Sequence, residues 1–240
     1  MENLVKMALT AEGIDAGYDN RHVIHEVSFA VEEGEQLLLT GPNGCGKTTL
    51  LKVLAGALRQ KSGRIFVHGD DLSAVPLHRR ILRGLGYLMQ TRNIFPSLSV
   101  NENLHLGFWH GDGRYGERLD WILDVFPMLR DKLDRRAGLL SGGERQALAI
   151  GMVLMRPVDL LLLDEPTAGL SPKAAEDILA AIYRARQAIG FTGILVEHNL
   201  GLVHPWISRV LVMNQGRIVA DKVSPTALLD HKQLQGYYFQ

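Results

Sequence analysis

The segment that most restricts how this chain can fold is GPNGCGKTT at residues 41–49, which sets Gly41, Gly46, Lys47 and Thr48 in the spacing G-x-x-x-x-G-K-[ST]. Such a loop turns consecutive backbone N–H groups toward one point, and glycines supply the backbone angles and close approach that the cradle needs. EQLLLT before it reads as a strand, and KTTLLKVLAGAL after it spaces apolar residues as an amphipathic helix, closed by polar residues and Gly63. In that strand–loop–helix context the helix N-terminus adds partial positive charge, so the loop is expected to hold phosphate oxygens. Gly41, Asn43, Gly44, Cys45, Gly46, Lys47, Thr48 and Thr49 are its expected contacts, with Lys47 on the β/γ-phosphates and the Thr48 hydroxyl on Mg²⁺. Cys45 has two readings: a small residue that fits the loop, or a regulatory thiol activated by the nearby lysine and helix end.

Around this loop the hydrophobic pattern changes character twice. Residues 7–40 alternate apolar and polar in short stretches punctuated by Gly13, Gly17, Asp19, Asn20 and Gly34, which predicts antiparallel strands, the last entering the interior. RIFVHG is a further short strand. From about Gln90 to Arg156 the pattern is helical (VNENLHLGF, RLDWILDVFPML, SGGERQALAIGMVLM), interrupted at Pro96, Gly111 and Gly113. From Pro157, VDLLLLD and TGILVEH are buried strands around the helix PKAAEDILAAIYRARQAI, and RVLVMNQGRIVA is a hairpin turning at Asn214–Gly216. Near-continuous apolar strands alternating with helices imply a parallel sheet covered on both faces, so the chain is an α/β core interrupted by a helical insert.

Composition narrows the setting. With 240 residues, 46% hydrophobic and 22% charged, the chain suits one large soluble domain or two small ones. Apolar runs such as Leu160–Leu163 and Leu148–Met155 fall far short of the ~20 residues that span a bilayer. MENLVKMALTAEG lacks the basic start and apolar stretch of a signal peptide, so a cytosolic protein is expected. Its 26 basic and 26 acidic residues give no excess for nucleic acid, and a single cysteine suits a reducing compartment.

A second chemical element stands at the end of VDLLLLDEPTAGLSP, where Asp164 and Glu165 occupy the carboxyl end of a buried strand. Ligands of open α/β sheets bind outside that end. Asp164 suits Mg²⁺, directly or through water, and Glu165 suits the orientation and deprotonation of an attacking water.

Leu140–Gln146 reads LSGGERQ just before that strand. It resembles the signature motif of ATP-binding cassette proteins. The resemblance runs from Tyr18 to the hairpin near residue 216 and implies a P-loop NTPase core: a mixed, mainly parallel sheet with an N-terminal antiparallel β subdomain, plus a helical subdomain. It divides a single nucleotide-binding domain into core residues 1–89 and 157–240 and a helical, signature-bearing part, residues 90–156. It further implies ATP and Mg²⁺ as ligands. Ser141, Gly142 and Gly143, at a helix start, would bind the γ-phosphate of nucleotide held by an opposite subunit. Gln90 resembles the glutamine that senses Mg²⁺ and the attacking water, His198 the switch histidine beside the γ-phosphate, and Tyr18 the aromatic that stacks on adenine. Ser171 departs from the aspartate many members carry there, which puts one intersubunit contact in doubt.

The stretch QTRNIFPSLSVNENL, residues 90–104, resembles ATPase subunits of branched-chain amino acid and urea importers. The resemblance implies import of amino acids or similar small polar solutes, transmembrane permease partners, an ATPase homodimer or heterodimer, and a peripheral place at the inner face of the cell membrane. Ile94, Phe95 and Leu98 are either the docking surface for those partners or a locally buried cluster. The rival classes fit less well. Chromosome-type cassette ATPases acting on nucleic acid insert a long coiled coil, and no sustained heptads occur here. Tandem-cassette translation factors need two loops, and a P-loop kinase or GTPase lacks LSGGERQ. Lys47→Ala is expected to remove most nucleotide affinity, since the ammonium is the main point charge on the β/γ-phosphates. Titration of a fluorescent ATP analogue into the folded variant measures it, and near wild-type affinity would refute the loop assignment.

Overall fold

A computed structural model describes residues 6–91, 93–109 and 114–225, so the expected breakers Gly111 and Gly113 lie outside the described residues. The N-terminal alternation forms two long antiparallel strands, β1 (Met7–Tyr18) and β2 (Arg21–Glu32), turning through Asp19 at φ 49. The apolar β3 (Gln36–Thr40) leaves them for the interior, and α1 (Lys47–Ala55) begins directly after the glycine loop. α1 ends at Gly56 rather than Gly63. Gly56 takes φ 74, and a Cβ there would press on Arg80 and on the Val75 carbonyl, so conformation and packing both require glycine.

β4 (Ser62–Val67) and β5 (Asp70–Asp71) complete a four-stranded antiparallel sheet in the order β2-β1-β4-β5. A short helix not anticipated from the pattern, α2 (Leu77–Ile81), leads into β6 (Leu85–Leu88). Three helices follow: α3 (Val100–Gly107), α4 (Tyr115–Val125) and α5 (Gly142–Leu154). α3 and α5 each start with a reciprocal serine–glutamate cap, Ser99 with Glu102 and Ser141 with Glu144. The chain then runs through β7 (Leu160–Asp164), α6 (Pro172–Ile189), β8 (Thr192–Val196), α7 (Leu200–Val203), β9 (Arg209–Asn214) and β10 (Arg217–Val223). The second sheet has the order β10-β9-β3-β8-β7-β6, parallel throughout except for the β9–β10 hairpin.

Alternation along the parallel strands divides the interior in two. Leu37, Leu39, Leu160, Leu162, Ile194 and Val196 face α1 and the antiparallel sheet. Leu38, Leu161, Leu163, Leu195, Val210 and Val212 face the helical side, where α3, α5 and α6 pack. α1 is thus a core helix, with Leu50, Leu51, Val53, Leu54 and Ala55 fully buried.

The buried end of α1 presents carbonyls that the closing turn, with its bonds to Lys52 and Val53, satisfies only in part. Arg80 takes them up. Its side chain, 1% exposed, donates to the carbonyls of Leu54 (2.6 Å), Val53 (3.2 Å), Leu72 (2.6 Å) and Val75 (2.7 Å). Burial brings the guanidinium down to about 10, still charged at neutral pH. A cation at this end suits the helix dipole. Arg80→Met keeps the bulk but strands the Leu54 and Val75 carbonyls, while those of Val53 and Leu72 keep the N–H groups of Gly56 and Val75. It should therefore destabilise the protein by about 2 kcal/mol or more in urea unfolding, at ~1–3 kcal/mol for each unsatisfied buried group.

Candidate functional site

The glycine loop, the N-terminus of α1 and the carboxyl ends of β6, β7 and β8 enclose an open cleft of about 420 Å³. Asn43, Gly44, Gly46, Lys47, Thr48 and Thr49 line one side, Gln90, Glu165 and His198 the other, with Val23 from β2 at the edge. The loop needs its glycines. Gly41 and Gly46 have φ 151 and 112, and a Cβ would strike the Met213 carbonyl at the first and Ile24 at the second. Lys47 is 5% exposed and folds back over the loop, its Nζ donating to the carbonyls of Gly41 (2.8 Å) and Pro42 (3.0 Å). Those bonds hold an ammonium beside the backbone cradle, a site suited to an anion.

Asp164 ends β7 at 1% exposure. Its Oδ1 accepts a hydrogen bond from the Thr48 hydroxyl at 3.1 Å, while Oδ2 is buried with no partner. Burial raises the carboxyl pKa, against the opposing pull of the Thr48 bond and of Lys52 and Lys47. A hydroxyl and a carboxylate with one orphaned oxygen form an oxygen donor set that fits Mg²⁺ or its bound water.

Glu165 follows in the left-handed region at φ 52, its N–H bonded to the Val196 carbonyl at 3.0 Å. That backbone aims its side chain between two others. Oε2 accepts from Gln90 Nε2 at 2.9 Å, and Oε1 lies 3.0 Å from His198 Nε2. The side chains of Gln90, Glu165 and His198, far apart in sequence, therefore meet at adjacent strand ends.

Other expected residues lie elsewhere. Tyr18, half-exposed at the end of β1, is outside the cleft lining and sits against Lys52, whose Nζ donates to the phenol oxygen at 3.4 Å. Ser141, Gly142 and Gly143 open α5 and also stand outside that lining. Cys45 is buried, and burial pushes its thiol up despite Lys47, opposite to the shift a reactive thiol needs. Ser171 caps α6, accepting from the Ala174 N–H, with Pro172 at the first helical position.

Glu197 was not anticipated. At 3% exposure, it accepts from the Thr167 N–H (2.8 Å) and hydroxyl (2.6 Å) through Oε1, and from the His198 N–H (3.1 Å) through Oε2. It thereby ties the turn after Glu165 to the backbone of His198. The available signal was a carboxylate completing an apolar strand, where burial demands partners.

The family model described as ABC transporter matches residues 24–168. The chain is 39% identical to the probable branched-chain amino acid transport ATP-binding protein LivF of Archaeoglobus fulgidus, over 92% of this chain and 94% of that one. It is 34% identical to the lipopolysaccharide export system ATP-binding protein LptB of Escherichia coli K12, over 96% of each. A crystal structure of the ADP conformation of MJ1267, an ATP-binding cassette of an ABC transporter, superimposes with a TM-score of 0.82 at 28% identity, covering 96% of this chain and 98% of that one.

The geometry of Asp164 predicts opposite effects on stability and chemistry. With its pKa raised on folding, the folded state holds the proton to higher pH than the unfolded chain, so this group's contribution falls as pH rises from the ordinary carboxyl range through the raised folded value. Asp164→Asn keeps an acceptor for Thr48 and removes the buried charge. Its ligand-free Tm at neutral pH should equal or exceed that of wild type while ATP hydrolysis is lost, measured by thermal melts and phosphate release.

Proposed function

The chain belongs to the ABC transporter family as an ATP-hydrolysing subunit, and from that footing we propose that it drives import of amino acids or similar small polar solutes. The observation that carries the mechanism is the meeting of Gln90, Glu165 and His198 opposite the phosphate loop. Phosphoryl transfer needs positioning and charge neutralisation above all. The loop N–H groups and Lys47 hold the β/γ-phosphates. Mg²⁺, when bound through Thr48, Asp164 and Gln90, supplies neutralisation of charge on the phosphate oxygens. Glu165 is the general base. With nucleotide bound, His198 would turn to the γ-phosphate and Gln90 would help hold Mg²⁺, leaving both oxygens of the Glu165 carboxylate free to accept the proton of the attacking water.

Tyr18 supplies the stacking face for adenine. Ser141, Gly142 and Gly143 close on the γ-phosphate held by a second ATPase subunit, identical or related, so that hydrolysis is tied to opening and closing of the pair. Residues 1–89 and 157–240 form the nucleotide-binding core and residues 90–156 the signature-bearing subdomain.

No described helix is long and apolar enough to cross a membrane. Coupling to transport would run through transmembrane permease partners, with this chain at the inner face of the membrane. The segment after Gln90 supports this role. Ile94 packs against the core and Leu98 is half-buried, whereas Phe95 is 52% exposed. Two asparagines hold the segment by imitating backbone pairs. Asn93 bonds both polar groups of Met89, and the fully buried Asn103 bonds both of Phe95. An apolar ring on a fixed backbone suits a partner's apolar helix. The likeness to LptB favours a second reading, an export motor. Deleting the coding sequence separates the two: lost uptake of labelled branched-chain amino acids supports import, and unchanged uptake counts against it.

Glu165→Gln is the direct test of the mechanism. An amide is nearly isosteric yet does not accept the proton at neutral pH, so turnover should fall by about 10²–10⁴-fold while ATP binding persists. The variant should elute as an ATP-dependent dimer of twice 26.6 kDa. Ser141→Arg added to it should abolish the dimer and spare binding to the monomer. Wild-type turnover, or dimerisation indifferent to ATP, would overturn the mechanism.

A further inference from the structure

We propose that Asp15, His22 and His25 form a site for a divalent transition-metal ion of the zinc class, separate from the nucleotide cleft. Asp15 lies on β1 and the histidines on β2, and one ligand atom from each lies within 4.8 Å of the others. A regular hairpin does not give this convergence. Side chains alternate faces along a strand, so residues three apart point to opposite sides.

Two bulges defeat the alternation. Gly17 pairs with His22 and Ala16 with Ile24, which leaves Val23 as an extra residue on β2. Ile14 pairs with Val27, so Asp15 stands opposite both His25 and Glu26, and Glu26 takes φ 50. Extra residues of this kind bend and twist the strand that carries them. The result here is that His22 and His25 stack, with ring planes 11° apart and centroids separated by 6.1 Å.

The carboxylate is fixed from behind. The Glu26 N–H donates to Asp15 Oδ1 at 3.3 Å and the Ser62 hydroxyl to Oδ2 at 2.9 Å. Each oxygen keeps a lone pair for a metal, and such outer hydrogen bonds are what orient ligating groups in metal sites. Two neutral imidazoles with one carboxylate suit Zn²⁺, Co²⁺ or Ni²⁺ far better than Mg²⁺, which prefers oxygen. Metal–ligand distances of about 2.0–2.2 Å draw the donors inside their present separation by side-chain rotation, and a water completes the tetrahedron.

The site adjoins the nucleotide cleft without sharing a residue with its lining. The His25 N–H donates to the Gly216 carbonyl at 2.9 Å, and the Gly216 N–H donates to the Cys45 carbonyl in the phosphate loop at 2.9 Å. Val23, between the two histidines, lines the cleft. An ion there braces β1 and β2 against the phosphate loop.

The test is titration of the tag-free chain with Zn²⁺ by calorimetry, without nucleotide or Mg²⁺. The titration is run at about pH 7.5, in buffers of differing ionisation enthalpy, because metal binding releases protons. One equivalent should bind with micromolar affinity, weakened at least tenfold in His22→Ala and in His25→Ala and unchanged in His68→Ala. Circular dichroism checks that the variants are folded, and His22, being exposed, is the safer of the two. Co²⁺ should give the visible absorption of a tetrahedral site, lost in His22→Ala. Absence of binding, equal affinity in folded His22→Ala, or loss of the site in Asp164→Asn instead would each overturn the proposal.

Discussion

One helix sets the terms for the rest of this molecule. α1 opens its N-terminus to a cleft while its remaining length is buried between two sheets, so its two ends face opposite electrostatic problems. At the start, glycines and Lys47 leave backbone donors facing an open cleft. At the finish, the fully buried Arg80 takes the carbonyls that would otherwise point into apolar surroundings. A phosphate bound as proposed at one end and the guanidinium at the other would complement the same aligned peptide dipoles.

The parts of this plan governed by short-range rules were legible in the sequence. α6 begins and ends where its pattern places it, because Ser171 and Pro172 start it and Gly190, at φ 76, stops it. The β9–β10 turn falls at the expected residues, with Gln215 and Gly216 both at positive φ. The end of α1 was misplaced because Gly56 and Gly63 are equally good stops locally. The choice between them comes from Arg80, on a helix too short to show a periodicity. The family resemblance singled out Gln90 and His198, and the strand-end position singled out Glu165, but neither pointed to Glu197, whose Oε1 partners come from a turn thirty positions away. Long-range satisfaction of buried polar groups leaves little local trace.

The polar groups of the site bond largely to one another and to the glycine loop. Both Glu165 oxygens are engaged, one by an amide and one by an imidazole, and Lys47 is turned onto its own loop. A ligand entering the cleft would therefore displace existing partners of Glu165 and Lys47, whereas the buried Asp164 Oδ2 has none to lose among the described residues. Those partners limit the cost of burying Glu165 and Lys47 while no ligand is present.

The backbone at Glu165 carries a consequence for the history of such chains. A side chain with a Cβ at φ 52 holds a conformation that glycine or asparagine adopts with less strain, and strain of this type costs about 1–3 kcal/mol. Folding alone therefore favours replacing Glu165, and under the role proposed above only the chemistry of its carboxylate resists. In a lineage released from hydrolysis, this position should be among the first to drift toward Gly or Asn, whereas Arg80, Gly46 and Asn103, which the fold itself requires, should persist. Decay at residue 165 beside an intact loop would then mark a cassette that still folds around nucleotide but no longer cleaves it.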